Sequence, residues 1–113
     1  MLRKEDGEIA WHRSATTLAR EARAYSPWPG SYTTWRGKML KILEARALVT
    51  SEAQDIPAGT VMLRKENGTT SLRVATGEGV LLLDRLQLEG KKSMNSDEFL
   101  RGYANIVGDA LGN

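Results

Sequence analysis

Gly90-Lys91-Lys92 places two adjacent cations directly after an apolar run that begins at Val80. Two ammonium groups on a solvated loop at a strand end can do the chemistry of phosphate contact, which asks only for positive charge at the right height. Further cations stand at and after a turn, at Arg36, Lys38 and Lys41, and along a helical stretch, at Arg13, Arg20 and Arg23. Residues that break bonds are scarce by comparison. The chain has a single histidine, His12, and no cysteine. A nucleophile needs a base within hydrogen-bond reach, and one isolated histidine supplies no such pair. Lack of cysteine excludes disulfides and thiolate metal sites and fits a reducing cytoplasm. Gly77-Glu78-Gly79 lacks the strand–helix setting that gives a glycine loop its phosphate-binding role. The residues point to binding, with no catalytic, cofactor or metal site expected in this chain.

Composition limits how such binding could work. A chain of 113 residues is large enough for one domain with one core. With 16 Lys plus Arg against 14 Asp plus Glu, the net charge is only +2. A nucleic-acid surface must then come from where the cations stand rather than from bulk charge. No apolar run approaches the roughly 20 residues of a membrane span, so no membrane partner is expected.

The elements that must position these cations are short. Residues 1–12 read as a charged linker leading into a domain over 13–113, with Ile9 and Trp11 alternating with Glu8 and Ala10 as an extended piece that packs on the core. Ser14 is an N-cap, and Ala15, Leu18, Ala19, Ala22 and Tyr25 fall at helical spacing behind it. Pro27 ends that helix. Arg13, Arg20 and Arg23 lie on the side away from the apolar stripe, where an ordinary solvated face is the simplest role. Tyr32–Trp35 pairs through Arg36-Gly37 with a run from Lys38 in which Leu40 and Ile42 point in and Lys41 out. The alternation loses phase around Leu43–Ala45, which suggests a bulge that bends the strand. Thr60–Leu63, an Asn67-Gly68 hairpin, Thr70–Ala75 and Val80–Leu88 follow. A last helix starts near Asn95 or Ser96 and buries Phe99, Leu100, Tyr103 and Val107. Met94 fills a gap beneath it. Trp28, held between two prolines, is expected to plug one end of the core. Trp35 is expected to pack in the core as well, an exposed stacking ring being the alternative.

The fold class expected is mainly β with peripheral helices: a small, five-stranded, OB-like barrel flanked by an N-terminal and a C-terminal helix.

In order along the chain, Glu8-Ile9-Ala10-Trp11, Arg23-Ala24-Tyr25-Ser26-Pro27-Trp28-Pro29, Lys38–Ala45, Pro57-Ala58-Gly59-Thr60-Val61 and Gly90-Lys91-Lys92 with Met94 and Phe99-Leu100-Arg101-Gly102 resemble the C-terminal domain of methionyl-tRNA formyltransferases. The resemblance covers nearly the whole chain. It departs at Ala10, where the family usually has an aspartate. His12-Arg13-Ser14 matches the first three positions of that family's catalytic His-x-Ser-Leu-Leu-Pro motif, but Ala15-Thr16 follows, and the match is read as coincidence.

The resemblance implies a barrel fold and a non-catalytic, tRNA-binding role, with Lys91, Lys92, Arg36, Lys38, Lys41, Arg20 and Arg23 as the candidate tRNA contacts. It also implies two partners, initiator methionyl-tRNA and an N-terminal catalytic domain that uses 10-formyltetrahydrofolate, in translation initiation in the cytoplasm. The competing reading is a structural accessory barrel of a related folate or sugar formyltransferase, packing on its catalytic domain without binding RNA. A protein–protein module is a third. One continuous positive stripe joining Lys91 and Lys92 to the hairpin cations favours RNA, whereas cations each beside a carboxylate favour the structural barrel.

Overall fold

A computed structural model of the protein describes residues 4–26 and 30–112. Pro27 and Trp28, expected to stop a helix and to plug the core, lie outside the described residues.

After a single 3-10 turn at Lys4–Gly7 come α1 (Ala15–Ala24), β1 (Ser31–Trp35), β2 (Lys38–Leu48), β3 (Val61–Glu66), β4 (Thr69–Ala75), β5 (Val80–Leu88), β6 (Ser93–Asn95) and α2 (Ser96–Tyr103). All sheet pairings are antiparallel, in the order β1-β2-β5-β4-β3, with β6 on β5. The five expected strands are present; β6 is an addition, three residues being too short to show periodicity. The two hairpins turn where the sequence says. Arg36 and Gly37 have φ of 50° and 81°, and Asn67 and Gly68 have 51° and 77°. Positive φ at both central residues is the turn whose twist matches the flanking strands. The register of β2 on β5 slips between Ile42 and Ala45, as the lost alternation implied. That bulge lets β2 serve two neighbours while bending round the core.

Ser14 caps α1 by accepting the Thr17 amide at 3.2 Å, and Ala15, Leu18, Ala19 and Ala22 are buried beneath it. Asn95 and Glu98 form a reciprocal capping box that starts α2. Here one expectation is corrected. Val107 is 39% exposed, and Ile106 is buried in its place. The chain tightens to a 3-10 turn at Ala104–Ile106, so the inward position three residues beyond Tyr103 is 106.

Strand pairing does not close the barrel, because β1 and β3 are not hydrogen-bonded to each other. The C-terminal segment bridges them. Val61 donates to the Asp109 carbonyl at 2.9 Å, Gly108 to Val61 at 2.8 Å and Leu111 to Gly59 at 2.9 Å, while Gly112 donates across the gap to Thr34 of β1 at 2.9 Å. The chain's incoming segment lies at the same seam. Ile9 donates to the Tyr32 carbonyl at 2.8 Å, and the buried Trp11 indole N–H reaches the Thr33 hydroxyl at 3.0 Å. A Cβ at either Gly59 or Gly112 would stand 3.6 Å from the Trp11 ring, so both glycine backbones lie close against it. The core beneath includes Leu40, Ile42, Leu72, Leu83, Leu86 and Phe99, with Met94 packed against it.

Candidate nucleic-acid interface

Leu40 pairs with Leu88, and Glu89 donates to the Met39 carbonyl at 2.9 Å. These contacts put the β1–β2 turn and the β5–β6 turn at the same end of the sheet. The Glu89 carboxylate accepts the Met39 amide at 2.9 Å, and Gln87 donates to the Lys91 carbonyl at 2.9 Å. The loop carrying Lys91 and Lys92 is therefore tied to β2 and β5 by backbone and side chain alike. Both lysines are exposed, as are Lys38 and Lys41.

Alternation along the strands sets the rest of this face. Leu40, Ile42, Leu86 and Leu88 point inward, which turns Lys41, Arg85 and Gln87 outward. Lys41 lies between Tyr32 and Gln87 in a cross-strand row that continues to Ser93. Arg85 donates to the Ser93 hydroxyl at 3.0 Å. Sequence reasoning did not single out Arg85, although the inward positions on either side of it carried the signal. Burial, with Glu8 and Glu5 behind it, holds the Tyr32 phenol above its ordinary pKa, so it remains a neutral donor beside this row.

The structure brings Lys38, Lys41, Lys91 and Lys92 together, with Arg85 added, and none of them is in an ion pair among the described residues. Arg36 differs. Its Nε lies 2.9 Å from Asp109, and its guanidinium sits 5.5 Å over the Trp35 ring. Arg13 is offset by Glu21 at 2.6 Å. Arg20 and Arg23 are exposed on α1, whose first residue is anchored at Glu78, beside the far end of β2, by a 2.9 Å backbone bond. Across the barrel, Arg46 is held by Asp84 at 2.7 and 2.9 Å, and Glu52 accepts from both Arg64 and Arg73. Those cations are neutralised, as is Arg36, whereas Lys38, Lys41, Lys91 and Lys92 are in no ion pair among the described residues.

Trp35 is a core residue, 5% exposed, with its ring edge-on to Phe99 and Tyr103 at 6.1 and 6.0 Å. It offers no stacking platform. Hydrogen bonds from the Trp35 indole and Arg36 hold the Asp109 carboxyl below its usual pKa. His12 is exposed. Among the described residues no cluster of His, Asp and Glu could hold a metal ion. What this end can do is attract anions.

A family model for the formyl transferase C-terminal domain matches residues 1–104. Methionyl-tRNA formyltransferase of Roseiflexus castenholzii is 41% identical over 112 residues, 99% of this chain and 34% of that protein. The enzyme of the same name from Geotalea daltonii shows the same identity and coverage, 41%, 99% and 34%. That of Rickettsia massiliae is 41% identical over 97% of this chain and 33% of its own length. The chain spans about a third of the length of these curated relatives. Among solved structures, a variant of HypX from Aquifex aeolicus superposes with a TM-score of 0.64 at 16% identity, covering 95% of this chain and 19% of that one. That likeness is one of fold.

Proposed function

We propose, since the chain belongs to the formyl transferase C-terminal domain family, that it is the non-catalytic, tRNA-holding domain of a methionyl-tRNA formyltransferase. The full enzyme would transfer a formyl group from 10-formyltetrahydrofolate to the amino group of initiator methionyl-tRNA in translation initiation in the cytoplasm. A preceding catalytic domain would bind the formyl donor and carry out the chemistry. The part of this chain is to hold the tRNA backbone.

One observation carries the reading: Lys38, Lys91 and Lys92 at two tied turns, with Lys41 beside them on the outer face of β2, are exposed and free of ion pairs among the described residues. Phosphate contact uses that charge, and being blind to sequence it adds affinity without discrimination.

Binding of a fluorescent tRNA to the purified chain over a salt series tests this. Affinity at low salt should fall as salt rises, with a log–log slope of about 0.7–0.9 per phosphate contact. Absence of binding at low salt would instead support the accessory-barrel reading.

A further inference from the structure

The outer face of β2 and β5 carries a small hollow. Leu40, Ile42, Leu86 and Leu88 point inward, so Met39, Lys41, Gln87 and Glu89 point out. Lys41 stands opposite Gln87, and the Glu89 amide donates to the Met39 carbonyl at 2.9 Å, which sets Met39 opposite Glu89. These four residues, with Leu88 and Gly90, line a cavity of about 230 Å³. That is below the roughly 300–1,000 Å³ of small-molecule sites, so it takes one part of a larger ligand. Its polar atoms are half spent. Glu89 Oε1 accepts the Met39 amide, and Gln87 Nε2 donates to the Lys91 carbonyl, each at 2.9 Å. Glu89 Oε2 and Gln87 Oε1 meet no partner among the described residues. Two open acceptors thus stand beside Lys41 and, just past Gly90, Lys91 and Lys92.

We propose that this hollow accepts a ribose 2′-hydroxyl, which makes the face selective for RNA over DNA. The proposal rests on the tRNA-holding reading above and adds how RNA is told from other polyanions. A carboxylate repels phosphate but accepts strongly from a hydroxyl. The hollow is then closed to phosphate groups and open to an uncharged donor lying between them. A ribose has that form. Its 2′-hydroxyl donates to Glu89, its apolar ring face lies on Met39, and the flanking phosphates stay outside on Lys41 and the Lys91-Lys92 loop. In an RNA stem the shallow minor groove displays these hydroxyls, whereas the base amino groups are paired. DNA offers the same phosphates and no such donor. This selection is blind to base sequence, as the phosphate contacts are.

Binding of one stem, prepared as RNA, as 2′-O-methyl RNA and as DNA, to the purified chain at low salt tests this. The 2′-O-methyl stem keeps the A-form shape and replaces the hydroxyl proton with a methyl group. RNA should bind about tenfold tighter than either of the others, the worth of one charge-assisted hydrogen bond. Glu89→Gln keeps an oxygen for the Met39 amide and turns an N–H₂ group into the hollow. It should remove the preference while tightening all three, since a negative charge beside the backbone is gone. A 2′-O-methyl stem that binds as tightly as RNA would show that shape is read, and overturns the proposal. So does a preference for RNA that survives in Glu89→Gln. Equal binding of all three, weakened by salt as phosphate contacts are, removes the hydroxyl contact and keeps the tRNA-holding reading. No binding of any of them removes both.

Discussion

The carboxylate of Asp109 accepts the indole N–H of Trp35 at 2.7 Å across 74 residues of sequence, and the same oxygen accepts from Arg36. This contact locks the closing C-terminal segment to the β1–β2 turn. It also holds Arg36 where a non-glycine residue with a φ of 50° is uncommon.

A pH prediction comes from that lock. The Asp109 pKa is lowered on folding, so its contribution is complete above the unfolded value of about 3.9 and is lost as pH falls through the lower folded value. Asp109→Asn should therefore lower the urea midpoint at neutral pH. The gap between variant and wild type should close as pH drops below about 4. A gap that stays constant with pH would show that the carboxylate charge contributes nothing.

A pair of glycines should respond in opposite directions. A Cβ at Gly77 would fall 1.8 Å from the His12 carbonyl oxygen, a backbone atom that cannot swing away. Gly77→Ala should cost about 3 kcal/mol or more, at the upper end of overpacking. Gly102 lies in α2 with nothing near its missing Cβ. Gly102→Ala should stabilise by about 0.5 kcal/mol. Denaturant midpoints of the two variants decide both.

Lys91→Ala with Lys92→Ala should weaken initiator and elongator tRNAs to similar degrees, since backbone contacts carry little sequence information. The salt slope should flatten by about 1.4–1.8, about 0.7–0.9 per lost contact. The exposed loop contributes little to the core, so stability should change by less than about 0.5 kcal/mol. An unchanged slope would make the lysines ordinary surface charge. A change in discrimination between tRNAs would mean that this domain reads identity.

The isolated chain should not formylate methionyl-tRNA in a single-turnover assay with 10-formyltetrahydrofolate. Product above a no-protein control would overturn the assignment of the chemistry to a preceding domain.

Much of the fold was legible because local rules and burial agree. Asn67-Gly68, Arg36-Gly37, the Ser14 cap and the lost phase at Leu43–Ala45 each announce their geometry through a few neighbouring residues. The closing segment at 108–112 does not, since it is held by backbone bonds to Val61, Gly59 and Thr34 that leave no hydrophobic period in the sequence. Ile106 displaced Val107 from the core because a tightened turn changes the period after Tyr103. At the candidate interface the exposed lysines could be seen in advance. That Arg36 is engaged by Asp109 could not, because the two stand 73 residues apart and meet only once the closing segment crosses to the β1–β2 turn.

The shared patch under Trp11 and Gly112 has a mechanical consequence. Trp11, close to the first described residues, and Gly112, close to the last, touch the same patch of the barrel. A chain anchored at one patch near both of its ends can be joined there, or spliced into a host loop, with little stretching. A circular permutant joining the ends by a short glycine linker and opened at the exposed Asn67-Gly68 turn should then fold with its barrel intact.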